Sequence, residues 1–218
     1  ALVPLNDDRI QAKFVVQRIR DLIEEGTDPS EIAVLYRAHF HSMELQMELT
    51  RGEIPFRITS GIRFFEQAHI KDVVAFMRFV VNPRDELSFR RMVMLLPGIG
   101  PGMAQKLWIR WTACPESRQE TPPESFSALM LDFPVPVKSR TAWTQLCYTL
   151  DELAPAGKLA GPASMLLSIN EAVYDEYMQA AFENYDQRRQ DLLHLAGFSE
   201  RFESTEDFLS QLSLLGNT

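Results

Sequence analysis

The residues with the clearest chemical potential form a short turn, Pro-Gly-Ile-Gly, at positions 97–100. Pro97 disfavours continuation of the apolar helical pattern before it, while Gly98 and Gly100 permit backbone angles that other residues resist. Pro101 suits the first position of a new helix, and the unpaired amides at a helix start favour anions. The turn therefore predicts a site for a nucleic-acid phosphate. The alternative is a plain helix-helix turn with glycine caps.

Residues beyond the turn add to the predicted site. Gly102 lacks a side chain and leaves the main chain at the helix start open to a ligand, and Lys106, one helical turn further on, adds a positive charge. The pattern resembles the helix-hairpin-helix DNA-binding motif, in which Pro-Gly-aliphatic-Gly precedes a helix with a small residue near its start. Ala104 fills that last place here.

Other kinds of chemistry find no support in the sequence. No Gly-x-x-x-x-Gly-Lys-Ser/Thr motif occurs, so nothing predicts ATP binding by this chain itself. The four histidines form no His-Glu-x-x-His array, and Cys114 and Cys147 are too few for a disulfide framework or a metal-ligand set. We therefore expect a binding and coupling module with no catalytic residue, cofactor or metal of its own.

The distribution of charge indicates a one-sided contact with a polyanion. The chain of 218 residues has a net charge of -8, which argues against general polyanion binding. Residues 57–110, however, contain nine Lys and Arg against four Asp and Glu. This basic middle fits a protein that touches nucleic acid through one face, and the alternative is a chance imbalance on solvated helices.

Composition and the chain ends suggest the kind of protein involved. Hydrophobic residues make up 45% of the sequence, enough for a folded core. No apolar run is long enough for a membrane span and no charged-then-apolar leader opens the chain, so we expect a cytoplasmic protein with no membrane partner. Because the sequence starts without methionine, we also expect a piece of a longer protein.

The first part of the chain reads as an α/β arrangement. An amphipathic helix pattern is followed by a near-continuous apolar run at residues 32–36, which favours a buried parallel strand with Arg37 at its ligand-binding end. A second helix pattern precedes a short alternating segment at residues 55–58, typical of another strand. The order helix, strand, helix, strand predicts part of a parallel α/β sheet.

The rest of the chain reads as all-helical. After Glu66 the apolar residues recur at helical spacing, and the turn at 97–100 joins two of these predicted helices. Residues 114–136 are rich in proline and predict a loop or a loosely structured insertion. The predicted fold is therefore an α/β fragment followed by a larger all-α subdomain that contains the hairpin-like turn.

A longer resemblance connects these parts. The chain resembles UvrD/Rep/PcrA-type superfamily 1 DNA helicases in six short segments that occur in the order and spacing of that family. They lie at residues 32–37, 48–49, 54–58, 61–66, 70–72 and 98–100. The resemblance implies that residues 1–65 are part of the second RecA-like motor lobe, called 2A, and that residues 66–218 are the inserted helical subdomain, called 2B.

The resemblance also implies a function. In that family, ATP-driven closure of two motor lobes moves single-stranded DNA in the 3′ to 5′ direction, while 2B grips the duplex ahead through its Gly-Ile-Gly turn. This chain would then be a piece of an ATP-dependent helicase that binds duplex backbone and couples it to the motor, with no ATPase of its own. ATP and Mg would bind elsewhere in the parent protein, and DNA repair or replication proteins are further candidate partners.

Individual site residues follow from the matched segments. Gly98, Ile99 and Gly100 match the duplex-contacting turn, to which Gly102 and Lys106 are added. The motor-lobe segments near the single-stranded DNA track contribute three more candidates, namely Arg37, Arg63 and Phe64. Two alternatives stay open: a protein-interaction or autoinhibitory module of a helicase, and a subunit of a helicase-nuclease from the same superfamily.

Overall fold

The computed structural model describes residues 2–37, 39–58 and 64–216, and all of their regular structure is helical. The chain divides into two compact units. Unit 1 comprises Ala1–Gln67 together with Ser213–Thr218, and unit 2 comprises Ala68–Leu212. The α-helices are α1 (Asp8–Glu24), α2 (Ser42–Arg51), α3 (Ala68–Val81), α4 (Glu86–Val93), α5 (Pro101–Thr112), α6 (Phe126–Met130), α7 (Arg140–Leu153), α8 (Pro162–Ile169), α9 (Asp175–Ala181), α10 (Tyr185–Ser199) and α11 (Thr205–Gly216).

Unit 1 is built on the packing of α1 against α2. Asp7 begins α1, because its side chain accepts hydrogen bonds from two backbone amides of the first turn, at 2.7 and 3.0 Å. The buried side chains of this small core are Val16 and Ile19 on α1 and Leu49 on α2. Ile32 and Phe56, from the segments that follow each helix, are only partly buried against it.

The predicted α/β sheet is wrong, because neither predicted strand is present in the described part of the chain. Residues 32–36 follow a short 3-10 turn at Pro29–Glu31 and form no strand pairing. Residues 55–58, which come after α2, form no strand pairing either. A strand forms only where a neighbouring strand accepts and donates its backbone hydrogen bonds. Branched apolar residues suit a strand but do not supply that neighbour, and Leu35 is consequently 95% exposed.

Unit 2 contains a dense helical core around α3. Four aromatic rings from different segments pack together with neighbouring centroids 5.2 to 5.9 Å apart: Phe79, Phe89, Trp111 and Phe126. The Trp111 indole also donates a 2.8 Å hydrogen bond to the Pro83 carbonyl, so its polar atom is satisfied inside the core. This cluster fixes α5, and therefore the turn that precedes it, against α3 and α4.

The proline-rich segment at 114–136 contributes to the same core. It contains a 3-10 turn at Pro115–Arg118 and the short helix α6. Phe126 and Met130 of α6 are fully buried, and the Met130 carbonyl accepts a 2.9 Å hydrogen bond from the Trp143 indole. Asp151 of α7 accepts hydrogen bonds from the first amides of α6. These contacts hold the segment against the core and so fix the position of the residues that follow it.

A buried polar network links α4 to the rest of unit 2. Asp72 on α3 accepts a hydrogen bond from the Arg91 guanidinium of α4 at 2.7 Å and another from the Tyr174 hydroxyl at 2.7 Å. Tyr174 lies in a π-helical turn, Asn170–Tyr174, between α8 and α9. Burial, together with the negative charge of Asp72, raises the pKa of Tyr174 and keeps its hydroxyl protonated. The network holds α4, which leads into the glycine turn, at a defined angle.

Candidate nucleic-acid interface

The chain leaves α4 through a tight turn that depends on a glycine. After α4 ends at Val93, the amides of Leu96 and Ile99 each donate to the carbonyl three residues earlier, at 3.2 Å. Gly98 has a φ of 80°, a left-handed angle that side chains resist. The sequence-based expectation that glycine allows a sharp turn here is confirmed for Gly98.

Gly100 marks the start of α5 and is open on its outer side. It occupies the N-cap position with φ -98° and ψ -178°, and its carbonyl accepts the first helical hydrogen bond, from Ala104 at 2.9 Å. Its angles are open to any residue, so conformation does not require glycine there. A Cβ added at Gly100 or Gly102 would meet no heavy atom of the described residues within 4 Å. Both positions therefore leave space for a ligand beside the backbone.

The first turn of α5 has unpaired donors. Because Gly100 has no side chain, the helix start lacks a side-chain cap among the described residues. Pro101 occupies the first helical position and has no amide hydrogen to satisfy. The amides that follow it carry the partial positive charge of the helix terminus.

The remaining predicted residues of the turn have different environments. The Ile99 side chain is only 4% exposed, so it anchors the turn in the core of unit 2 and does not face solvent. Lys106 lies on α5 and is exposed. Ile99 therefore holds the backbone in place, whereas the glycines and Lys106 present the surface.

The predicted residues of unit 1 are less informative. Arg37 is exposed and follows the unpaired segment at residues 32–36. Phe64 is fully buried in a 3-10 turn, with its ring edge-to-face on Phe65 at a centroid distance of 5.2 Å. A buried ring is not placed to stack on a base. Arg63 lies outside the described residues.

One segment beside the turn was missed by sequence reasoning. Ser139 is buried and donates a 2.5 Å hydrogen bond from its hydroxyl to the Pro97 carbonyl. The adjacent Lys138 lies over Gly98, where an added Cβ would overlap the lysine Cε. The available signal was charge, because residues 133–150 contain no Asp or Glu but do contain Lys138 and Arg140.

The described residues also lack two other kinds of feature. They contain no group of three or more His, Cys, Asp or Glu side chains able to hold a metal ion. Among the same residues, no helix has the length and apolar character needed to cross a bilayer.

Unit 2 is helical and has an open, glycine-lined helix start at the turn. Comparison with known families identifies the class of protein to which the chain belongs. Residues 5–133, more than half of the chain, match the family described as the UvrD-like helicase C-terminal domain. The chain therefore belongs to the UvrD-like helicase C-terminal domain family.

Three curated relatives show the extent of the similarity. DNA helicase II of Haemophilus influenzae is 41% identical over 83 residues, which is 38% of this chain and 11% of the relative. ATP-dependent DNA helicase UvrD1 of Mycobacterium bovis is 36% identical over 90 residues, 40% of this chain and 12% of the relative. ATP-dependent DNA helicase PcrA of Staphylococcus epidermidis is 31% identical over 101 residues, 46% of this chain and 14% of the relative. The matched region thus spans only a small part of each helicase.

Proposed function

We propose that this chain is a piece of an ATP-dependent 3′ to 5′ DNA helicase and that it binds the backbone of duplex DNA through the turn at 97–100 and the first turn of α5. The observation that carries the proposal is the open position at Gly100. There the unpaired helix amides, the missing Cβ and the exposed surface coincide. The family match and the helicase names of the relatives support DNA as the ligand.

The chemistry of the turn suits backbone contact without sequence reading. Backbone amides bind phosphate oxygens, which are the same at every base pair, so the contact positions the duplex but does not specify its sequence. Binding should weaken with salt, with a slope of about -0.9 in log affinity against log salt for each phosphate neutralised. Ile99 holds the turn, and Lys106 adds a charge beside it.

The finer assignments extend this proposal. Residues 1–65 would belong to the second motor lobe, with Arg37 and the segment that includes Arg63 and Phe64 near single-stranded DNA. The buried ring of Phe64 favours a structural role for that residue. Residues 66–218 would be the duplex-binding 2B subdomain that couples the DNA to the motor, while ATP and Mg bind in other parts of the parent. DNA repair or replication proteins are proposed as partners of the parent.

A second candidate function is protein interaction or autoinhibition. Unit 1 contains an open cavity of about 830 Å³ that is lined by both polar and apolar residues. Its lining includes Ile19, Ile32, Val34, Leu35, Leu49 and Phe56. A partner that stays bound at high salt, combined with no duplex binding at low salt, would favour this function over the first.

The experiment that tests the proposal replaces Gly100 with aspartate. Asp is a better helix N-cap than Gly, and its Cβ meets no described heavy atom within 4 Å, so the fold should be as stable as before. Its carboxylate would stand where the phosphate binds, and like charges about 4 Å apart repel by roughly 1 kcal/mol in water and more near a protein. We expect duplex affinity, measured by fluorescence anisotropy, to fall about tenfold or more.

Gly161 provides a matched control for this experiment. It is the N-cap of α8, it precedes Pro162 as Gly100 precedes Pro101, and an added Cβ there also meets no described heavy atom within 4 Å. The Gly161→Asp variant should bind duplex as the unmodified chain does. Equal affinity for Gly100→Asp and the unmodified chain would contradict the proposed function.

A further inference from the structure

Two separate parts of the chain that lack acidic residues meet at the glycine turn. Residues 87–115 and residues 133–150 contain no Asp or Glu, although the whole chain has a net charge of -8. Both segments belong to unit 2. Four exposed basic residues lie on them: Lys106, Arg110, Lys138 and Arg140.

Specific contacts join the two segments. The Ser139 hydroxyl donates to the Pro97 carbonyl at 2.5 Å, and the Ser139 side chain is fully buried. The Arg110 guanidinium carbon lies 5.6 Å from the centroid of the Phe133 ring, a second link between them. The folded chain therefore brings together two stretches that contain basic but no acidic residues. We call the surface that they form at the turn the turn patch and define it as Gly98, Gly100, Lys106, Lys138 and Arg140.

Lys138 packs directly over the glycine turn. Three carbons of its stem, Cγ, Cδ and Cε, occupy the space that a side chain on Gly98 would fill. Because its stem is already packed, Lys138 has less rotamer freedom to lose on binding a ligand than an unpacked surface lysine has. Among the described residues Lys138 forms no ion pair, so no carboxylate neutralises its ammonium.

We propose that Lys138 is a further DNA-backbone-binding residue, and that the turn patch is a two-segment clamp in which Lys138 contacts a phosphate beside the one held at Gly100. This inference rests on the proposed function, because it names a residue of the same duplex-binding surface. It also gives Gly98 a second reason to lack a side chain. Besides its positive φ, any Cβ there would displace the lysine stem.

The test removes the charge and keeps the packing. Met retains an unbranched stem, so Lys138→Met should leave the cover over Gly98 in place. Duplex binding is measured by anisotropy with a labelled blunt duplex of mixed sequence at about 50 and 200 mM salt. We expect affinity at the lower salt to fall by at least about threefold and the salt slope to shrink by about 0.9, the contribution of one phosphate contact.

Two further variants make the result specific. Lys158 is also exposed in unit 2 but lies outside both segments, so Lys158→Met should leave the affinity and the slope unchanged. Lys138→Arg keeps the charge and should retain the salt slope. Thermal unfolding followed by circular dichroism checks that each variant is folded, which we expect because both lysines are exposed.

The outcomes separate the two proposals. If the unmodified chain binds duplex and Lys138→Met binds equally well with the same slope, the clamp is overturned while the function at Gly100 stands. An equal loss in Lys138→Met and Lys158→Met would show a general charge effect and would also overturn the clamp. If the unmodified chain binds no duplex at low salt, the proposed function itself fails, and the role of Lys138 fails with it.

Discussion

The helical core of unit 2 and the apolar segment at residues 32–36 of unit 1 are buried to very different extents. In unit 2, Phe79 and Trp111 are fully buried, and their ring centroids lie 5.5 Å apart. In unit 1, the apolar segment at residues 32–36 forms no strand, and Leu35 is 95% exposed. Apolar side chains stabilise a fold only when they leave water. The difference shows that a hydrophobic pattern predicts burial only where the same chain provides a packing partner.

The largest effect expected from this comparison comes from truncating a core ring of unit 2. Trp111→Ala removes the stacking on Phe126 and the hydrogen bond to Pro83, and it leaves a cavity beside Phe79. We expect the free energy of unfolding to fall by about 3 to 5 kcal/mol, measured by urea unfolding followed by circular dichroism. Leu35→Ala in unit 1 is the matched control and should change it by less than about 0.5 kcal/mol. Similar losses in the two variants would contradict the comparison.

A second prediction concerns a buried thiol of unit 2. Burial raises the pKa of Cys147 to about 12, and the negative charge of Asp151 acts in the same direction. An unfolded thiol has a pKa of about 8.5. Between these values the native state keeps a proton that the unfolded state releases, so the stability it contributes is complete below about pH 8.5 and is lost as the pH rises.

The Cys147 effect is measured against a variant that cannot titrate. The difference in unfolding free energy between the unmodified chain and Cys147→Ala should decrease by about 1.4 kcal/mol for each pH unit above about pH 9. Tryptophan fluorescence under reducing conditions reports on the correct unit, because Trp108, Trp111 and Trp143 all lie in unit 2. A difference that stays constant from about pH 8 to about pH 10 would contradict the prediction.

Local features of the turn could be predicted from sequence because their causes are local. The positive φ of Gly98 and the helix start at Pro101 follow from the conformational preferences of glycine and proline themselves. Strand formation at residues 32–36 could not be judged in this way, since it depends on a neighbour elsewhere in the fold. The resemblance to a helicase family was supported by the family match, because ordered short segments carry information that single patterns lack.

The position of Lys138 was beyond the reach of sequence reasoning. About forty residues separate it from Gly98, and the intervening proline-rich segment brings the two together only because Phe126 and Met130 insert into the core. Similarly, helical spacing gives no indication that Phe64 is fully buried. Contacts between distant residues depend on packing, and packing is specified by the whole unit and not by one window of sequence.

The smallest expected effects come from two residues with left-handed backbone angles, one in each unit. Glu53 of unit 1 has φ 53° and Ala156 of unit 2 has φ 51°. A side chain at such angles costs about 1 to 2 kcal/mol, while glycine costs about 0.5 to 1 kcal/mol in unfolded-state entropy. Replacement by glycine should therefore stabilise each unit by up to about 1 kcal/mol.

These two substitutions test whether the units have separate stabilities. Hydrogen exchange of α1 and α2 amides should slow in Glu53→Gly, whereas tryptophan-detected unfolding should shift in Ala156→Gly. Because the core of unit 1 is small and partly open, its amides should exchange by local opening well before unit 2 unfolds. If Glu53→Gly raised the tryptophan-detected stability as much as Ala156→Gly does, the units would unfold as one, and the contrast between them would describe only burial and not stability.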